Sequence, residues 1–414
     1  MERKFWTDDE IRSLIDVVFR ESDDDNGEKK QDIMSYISSR ILPVDNVKFN
    51  VGNAPEERRK LYFHVFKRCL GYVDKGSVFG CLIGGAAGDA LGYPVEFVST
   101  GEIFAKYGKD GVASYRLSSG EKALISDDTQ MTLFTAEGLW YARENFGNPS
   151  LQNYIDEIYN AYKRWYIAQT GGYNGNENTI AEDERLNVRR APGGTCLSAL
   201  GSGKMGSIEE PINTSKGCGG IMRAAPIAIV MAQNDGYSME EAAYLGAQSA
   251  AITHGNQLGY IPTAAFVAII YSLLRGNTPV GAVLAAKDVI LKIFPDSKAA
   301  MTTAELMDKA LYCAKADISD IDAVSSLGEG WVAEETLAIA IYSFVKYSGD
   351  FKKALSVAVS HGGDSDSTGA VTGNMIGAYV GINAIPDEFK KNLELYDVLE
   401  NMSEKLFYDV KLSR

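Results

Sequence analysis

The sequence predicts an all-α fold, on three observations. From residue 77 onward, apolar residues recur at the three- and four-residue spacing of amphipathic helices. No sustained stretch alternates apolar and polar residues as a half-buried strand does, and no strand–GxGxxG–helix unit is found. Two series of glycines at four-residue spacing indicate helices that pack closely against each other.

Eleven segments have the length and spacing of helices. The predicted segments are residues 77–91, 129–141, 155–167, 221–232, 240–252, 260–274, 280–291, 304–315, 334–347, 351–359 and 367–380. The longest apolar stretch, residues 258–274, includes glycine, tyrosine, proline and threonine. We therefore expect it to be a buried helix rather than a membrane span.

The glycine series need a packing reason, because a glycine inside a helix costs about 1 kcal/mol relative to alanine. Four-residue spacing places the members of each series on one helix face. We therefore expect the two helices that contain them to approach each other closely in the core. The two series are Gly80, Gly84, Gly88 and Gly92, and Gly369, Gly373, Gly377 and Gly381.

The composition is that of a globular protein with an acidic surface. Of the 414 residues, 45% are hydrophobic and 23% are charged, which excludes fibrous and largely disordered classes. The formal net charge is −14 and no basic run is present, so nucleic acids and anionic membranes are not expected partners. The first ten residues lack the apolar core of a signal peptide, and we expect a cytoplasmic protein.

The cysteines and histidines argue against a disulfide framework and against a zinc site. The five cysteines are scattered and form no CxxC, so we expect reduced thiols. The three histidines lie far apart in the sequence. Any bound metal should therefore be held by oxygen ligands.

The chain divides into an N-terminal extension, residues 1–72, and a main domain, residues 73–414. The extension is charged and mixes short amphipathic stretches with an acidic loop. Two interpretations stay open: it packs on the main domain as an appendage, or it binds a partner protein. Within the main domain, the long segments 170–203 and 207–220 are rich in glycine, asparagine and charge, and long loops of this kind are often functional.

Two acidic clusters stand at the starts of predicted helices, Ser-Asp-Asp at 126–128 and Asp-Ser-Asp-Ser at 364–367. Either alone could be a helix cap, because serine and aspartate are favoured there. Two aspartates after a Gly-Gly turn, matching the composition of the first cluster, exceed what one cap needs. An oxygen-only donor set suits Mg²⁺ or Mn²⁺, so we infer that the two clusters meet at a metal site.

Three further motifs are candidates for chemistry. Asp89 lies inside the first glycine-rich helix and is expected to brace a neighbour, whereas Glu96 follows Pro94 in a non-helical segment and could reach a ligand. The glycine-rich segment 216–220 leads into a helix and can present N–H groups to a phosphate. His254 is isolated, and both a structural and a ligand-binding role stay open.

Five motifs, in this order, resemble the ADP-ribosylglycohydrolase family: GDALGYPVEF, SDDTQM, GCGGIMRAAP, THGN and HGGDSDSTG. The resemblance spans residues 77–381 and does not cover the N-terminal extension. It implies a compact, orthogonal multi-helix fold, two Mg²⁺ (or Mn²⁺) ions, and hydrolytic release of ADP-ribose from modified protein side chains. The form HGGDSDS is similar to the arginine-specific branch of the family.

The resemblance also implies roles for individual residues. The implied metal ligands are Ser126, Asp127, Asp128, Asp364, Asp366 and Ser367. The candidate catalytic carboxylates are Glu96, Asp127 and Asp128, and which of them takes the proton stays open. The implied substrate contacts are Gly217, Cys218, Gly219, Gly220 and His254. Lys216 and Cys218 depart from the family pattern, where some members have an aromatic residue and an asparagine.

The expected partner is an ADP-ribosylated protein substrate, and the expected state is a monomer. An ADP-ribosyltransferase is a candidate partner for residues 1–72. Binding through this segment could block the enzyme that modifies the substrate. Two alternatives to ADP-ribose hydrolysis stay open. The protein could bind ADP-ribose without cleaving it, or it could be a two-metal hydrolase of phosphoesters.

Overall fold

A computed structural model describes residues 73–175 and 178–408. Within these residues the chain forms sixteen α-helices, five 3-10 helices and two isolated β-bridges but no β-strand, which confirms the all-α prediction. The α-helices are α1 (Lys75–Gly92), α2 (Thr100–Tyr107), α3 (Asp127–Phe146), α4 (Leu151–Thr170), α5 (Gly194–Gly201), α6 (Ala225–Ala232), α7 (Met239–Ala251), α8 (Gln257–Leu274), α9 (Pro279–Ile293), α10 (Lys298–Lys315), α11 (Asp320–Leu327), α12 (Ala333–Lys346), α13 (Phe351–Val359), α14 (Ser365–Val380), α15 (Glu388–Lys391) and α16 (Tyr396–Leu406). The 3-10 helices are Tyr93–Val95, Ile180–Glu182, Glu184–Leu186, Cys218–Gly220 and Ile382–Ala384.

Each of the eleven predicted helical segments overlaps an α-helix. The prediction for residues 221–232 is wrong at its start, because the chain first makes the 3-10 turn Cys218–Gly220 and α6 begins only at Ala225, next to Pro226. Helix α5 lies inside the segment that was expected to be a long loop. The predicted N-terminal extension, residues 1–72, lies outside the described residues.

Helices α1 and α14 are in backbone contact at the centre of the fold, as the glycine series predicted. A Cβ atom added to any of the six facing glycines would stand within 3.0 Å of a backbone carbonyl oxygen of the opposite helix. Only glycine therefore allows this separation. The facing pairs are Gly80 with Gly377, Gly84 with Gly373, and Gly88 with Gly369.

The last members of the two series have different roles. Gly92 faces the carbonyl oxygen of Ser365, so the end of α1 touches the start of α14. Gly381 ends α14 with φ +77°, the left-handed conformation that favours glycine at a helix C-terminus. The contact at Gly92 matters for function, because Glu96 follows the first helix and Asp364 precedes the second.

Two segments, Lys75–Val95 and helix α8, are long and apolar enough to cross a membrane by length and composition alone. Most of each segment is buried inside the protein, as the core helices of globular proteins are. The prediction that residues 258–274 form a buried helix is therefore confirmed. Helix α8 packs against α7, α9 and α12 in a single large apolar core.

Candidate active site

The first acidic cluster begins α3, and Asp89 of α1 braces it. The Ser126 hydroxyl accepts a hydrogen bond from the Asp128 N–H at 3.2 Å. The Asp89 carboxylate accepts the N–H of Ser126 at 3.0 Å and the N–H of Thr129 at 3.1 Å. Because a side chain of another helix caps these N–H groups, the carboxylates of Asp127 and Asp128 are not needed as caps. The bracing role predicted for Asp89 is confirmed.

Asp127 and Asp128 are both buried, with 6% and 2% exposure. One oxygen of Asp127 accepts the N–H of Gly193 at 3.0 Å, so the segment before α5 closes onto this cluster. The Asp128 Oδ2 atom is buried and has no hydrogen-bond partner among the described residues. A buried carboxylate oxygen without a donor is costly unless a cation or solvent satisfies it.

The second acidic cluster begins α14. Asp364 is its N-cap and accepts the N–H of Ser367 at 3.2 Å, and Asp366 accepts the same N–H at 3.1 Å. The Asp364 N–H donates to the Glu329 carbonyl at 2.9 Å, which fixes the turn before the helix. The Cys218 thiol donates to the second oxygen of Asp364 at 2.7 Å. Cys218 therefore joins the glycine-rich segment directly to this cluster.

The structure brings the two acidic clusters together, and their charges interact. Burial raises the pKa of Asp128 well above its ordinary value. The charge of Asp89 raises it further, followed by the charges of Asp127 and Asp364. Burial likewise raises the pKa of Asp366, with added repulsion from Asp128 and Asp364. Burial raises the pKa of Asp127 to about 7, against the lowering effect of its bond from the Gly193 N–H. The mutual effect of these carboxylates on their pKa values supports the inference that the two clusters meet.

Glu96 faces both clusters from the mouth of the site. It follows the 3-10 turn Tyr93–Val95, and its side chain is half-buried. Burial raises the pKa of Glu96 to about 8, helped first by the charge of Asp364 and then by that of Asp127. It is the most accessible of these acids, as expected from its non-helical position after Pro94.

The glycine-rich segment lies beside the second cluster. Gly217 forms an antiparallel bridge with Val332, and the 3-10 turn Cys218–Gly220 follows. Lys216, one of the two departures from the family pattern, makes an ion pair with Glu334 at 2.6 Å. Its ammonium group is therefore already held by the protein, 43% exposed, at the edge of the segment.

His254 supports the glycine-rich segment from behind. A Cβ at Gly217 would lie 3.4 Å from its Nε2 atom, and one at Gly219 would lie 3.0 Å from its Cε1 atom. Its Nδ1 atom shares a 2.8 Å hydrogen bond with the Thr253 hydroxyl. Burial and then the charge of Arg223 lower its pKa to about 3, so the ring is neutral. The 2% exposure of His254 favours a shaping role over a direct one.

Arg223 was not predicted from the sequence as a site residue, and it anchors this region. Its guanidinium donates to the Thr253 hydroxyl at 2.7 Å and to the Ser249 carbonyl at 3.2 Å. It also lies 4.3 Å from the centroid of the Tyr162 ring. The sequence signal that could have identified Arg223 is its position inside the apolar run IMRAAP. An arginine in such a run is expected to be buried, as Arg223 is, and a buried charge needs fixed partners.

The donor chemistry of the clusters fits hard divalent cations. Among the described residues, no lysine or arginine forms an ion pair with the carboxylates that meet here, and Asp128 Oδ2 lacks a donor. Carboxylates packed together without basic partners are suited to Mg²⁺ or Mn²⁺. Over residues 73–175 and 178–408, no three Asp, Glu, His or Cys side chains already converge on one point as ligands. The fit of these cations to the site therefore rests on the oxygen donors, on the mutual approach of the two acidic clusters and on their unbalanced negative charge.

Known proteins are similar to this chain over most of its length. A family model described as ADP-ribosylglycohydrolase matches residues 73–413. The mouse protein ADP-ribosylhydrolase ARH3 is 23% identical over 371 residues, covering 79% of this chain and 90% of that protein. The ADP-ribosyl-(dinitrogen reductase) glycohydrolase of Rhodospirillum rubrum is 24% identical over 323 residues, covering 76% and 90%.

A solved structure is also similar to this chain. It is titled "ADP-ribosylglycohydrolase-related protein complex" and aligns with a TM-score of 0.58 at 23% sequence identity. The alignment covers 80% of this chain and 97% of that one. At this identity the likeness shows the fold alone.

Proposed function

Because the chain belongs to the ADP-ribosylglycohydrolase family, we propose that it hydrolyses the bond between ADP-ribose and a modified arginine side chain. Hydrolysis of ADP-ribose linkages follows from the family, and the arginine linkage is our own finer proposal. The observation that supports it best is the meeting of the two acidic clusters, with Glu96 at the mouth and the glycine-rich segment alongside. A strongly acidic mouth suits a substrate whose linkage includes a cationic guanidinium.

We propose two Mg²⁺ or Mn²⁺ ions as cofactors of this site. When bound, they would offset the carboxylate charges and act as Lewis acids toward the ribose hydroxyls and the attacking water. The orphaned Asp128 Oδ2 atom and the lack of basic partners among the described residues support this proposal. The residues that would hold them are Ser126, Asp127, Asp128, Asp364, Asp366 and Ser367.

The remaining step, removal of a proton from the attacking water, is assigned to a carboxylate of the protein. Asp127 is held by the Gly193 N–H, whereas Glu96 is the more exposed carboxylate and stands at the mouth. We therefore favour Glu96 as the group that takes the proton from the attacking water. The water oxygen becomes the ribose 1-hydroxyl, and the proton passes to the departing nitrogen, which leaves unmodified arginine and free ADP-ribose.

The glycine-rich segment is the proposed binding place of the pyrophosphate. Backbone N–H groups of a glycine-rich turn can hold phosphate oxygens without a basic side chain. This matters in a chain with a formal net charge of −14. The bond of Cys218 to Asp364 ties the segment to the second acidic cluster, and the His254 ring fills the space that side chains at Gly217 and Gly219 would occupy.

The experiment that tests the proposed function measures release of free ADP-ribose. Arginine-linked and serine-linked ADP-ribosylated proteins are each incubated with the full chain in Mg²⁺ or Mn²⁺. We expect free ADP-ribose and restored, unmodified arginine from the first substrate at a higher rate than from the second. Binding of ADP-ribose without release would make the protein a binding module, and release of inorganic phosphate would make it a phosphoester hydrolase.

Chelation is expected to stop the reaction reversibly. EDTA should reduce ADP-ribose release to the background rate, because it would remove the proposed cations. The clustered carboxylates would then lose the positive charge that offsets them, and the reaction would lose its Lewis acid. Adding excess Mg²⁺ or Mn²⁺ should restore the rate, and adding Ca²⁺ or K⁺ at the same ionic strength is the control. An equal rate of ADP-ribose release in EDTA and in Mg²⁺ would contradict the proposal that divalent cations are cofactors.

The metal-free protein is expected to lose stability as the pH rises. Burial raises the pKa of Asp127 to about 7 and of Glu96 to about 8 in the folded protein, while such groups titrate at about 4 when unfolded. Between these pH values the two carboxyls bind more protons in the folded state than in the unfolded state, so their contribution to the free energy of unfolding falls as the pH rises. In EDTA, the melting temperature should therefore be higher at about pH 5 than at about pH 8. A profile without this fall would contradict the electrostatics of the site.

A further inference from the structure

Two aromatic rings are stacked at the mouth of the site, and the function proposed above uses neither. The ring centroids of Phe97 and Trp331 are 5.0 Å apart, with planes inclined by 26°. The Phe97 side chain is 74% exposed, more than any other large apolar side chain that the structure describes as exposed. An aromatic face left in water beside an active site is a candidate contact for a ligand.

Phe97 is held beside the site by an unusual backbone conformation. It follows Glu96 directly and has φ +66°, a left-handed value that is uncommon for a bulky residue. The chain after it is tied to the turn before the second cluster, since the Thr100 hydroxyl accepts the Gly362 N–H at 2.9 Å. Backbone conformations of this kind cost free energy and are enriched at functional sites, so the one at Phe97 supports a role for this residue.

Trp331 is held between two parts of the site. On one side of it, the Glu329 carbonyl accepts the Asp364 N–H at 2.9 Å. On the other side, Val332 forms its bridge with Gly217 of the glycine-rich segment. The backbone around Trp331 is therefore anchored to both parts of the site before any ligand arrives, and an anchored surface loses little freedom on binding.

The charges around the ring pair favour a cation. Glu96 is the neighbour of Phe97 in sequence and faces Asp364 and Asp127. The faces of aromatic rings are themselves negative, and the planar guanidinium of arginine stacks on them well. The surface combines the two features that recognise arginine, a flat apolar face and adjacent acid.

We propose that Phe97 and Trp331 form a platform on which the guanidinium of the ADP-ribosylated arginine stacks, and that this contact sets the preference for arginine-linked substrates. The inference rests on the proposed function, because it assigns the leaving-group side of the same site. The platform acts on specificity and substrate binding, while the acidic clusters act on the reaction.

The test compares kcat/KM for arginine-linked and serine-linked ADP-ribosylated substrates. Phe97→Ala should lower kcat/KM for the arginine-linked substrate by about 5- to 30-fold, mainly through KM, as expected for loss of a cation–π contact. It should change the serine-linked value by less than about twofold and leave the dissociation constant of free ADP-ribose unchanged. Phe97→Tyr, which keeps the ring, should restore the arginine preference.

Two further variants separate recognition from structure. Phe97→Gly removes the ring and relieves the positive φ, so it should raise the melting temperature while the arginine preference is lost. Tyr312→Ala is the matched control, because Tyr312 is 72% exposed on α10, a helix that contributes none of the site residues described above. It should alter neither substrate's kcat/KM.

The outcomes are distinct. An arginine preference that survives Phe97→Ala overturns the platform and leaves the proposed function standing. Equal losses on both substrates, with weaker binding of free ADP-ribose, would mean that the rings stack on adenine and would also overturn it. A wild-type protein that releases ADP-ribose from neither substrate overturns the proposed function, and the platform with it.

Discussion

Replacing Asp366 with alanine is expected to lower the rate of ADP-ribose release by about 1000-fold or more, the loss expected when a buried catalytic charge is removed. Asp366 is buried beside Asp128 and Asp364 at the start of α14, and none of these carboxylates forms an ion pair with a basic side chain among the described residues. If they hold the cations together, loss of one leaves the others unable to do so.

The fold of this variant should survive. Asp366 shares the N–H of Ser367 with Asp364, so the cap of α14 remains after the substitution. Removing one of several repelling carboxylates should also stabilise the metal-free protein rather than weaken it. We therefore expect the melting temperature in EDTA to be unchanged or higher, while the stabilisation that Mg²⁺ gives the wild-type protein disappears.

The measurement is ADP-ribose release together with thermal denaturation in EDTA and in Mg²⁺. Asp387→Ala is the matched control, because its side chain is 95% exposed and it pairs only with Lys390 in the described structure. The control should keep full activity and full stabilisation by Mg²⁺. Full activity of Asp366→Ala would show that the second cluster is a helix cap and nothing more.

Replacing Gly84 with alanine is expected to destabilise the protein by about 3 kcal/mol or more, at or beyond the usual range for overpacked cores. The new Cβ would meet the backbone carbonyl oxygen of Gly373 at less than 3.0 Å, so neither a rotamer change nor a small side-chain shift can relieve it. Helices α1 and α14 would have to separate. That separation would also move Glu96 away from Asp364 and weaken metal binding.

Chemical denaturation of Gly84→Ala and of Gly101→Ala measures this effect. Gly101 is the matched control, since it lies in the exposed part of α2 and a Cβ there would meet nothing within 4 Å. We expect Gly101→Ala to change the free energy of unfolding by less than about 1 kcal/mol, in the stabilising direction. Equal effects of the two substitutions would contradict the close packing of α1 on α14.

Patterns within a single segment were predictable from the sequence. The four-residue glycine series predicted the contact of α1 with α14, because glycine in a helix needs a packing reason. The matching Ser/Asp composition of the two clusters predicted that they meet, although each alone could have been a cap. Asp89 was predicted as a brace from its place inside a helix, and its bonds to Ser126 and Thr129 confirm this.

Features that depend on contacts between distant segments were not predictable. The N–H of Gly193 reaches Asp127 from a segment that contains α5, where glycine and asparagine content favoured a loop. The stacking of Phe97 on Trp331 joins residues more than 200 positions apart. No local periodicity records such pairs, because each partner's own sequence neighbourhood is compatible with many other contacts.

The central claim, that the two acidic clusters together hold divalent cations, is tested most directly by calorimetric titration of the metal-free protein with Mn²⁺. The account predicts two Mn²⁺ ions per wild-type chain, and loss of tight binding in both Asp128→Asn and Asp364→Asn, one variant from each cluster. Unchanged Mn²⁺ binding in either variant would contradict it.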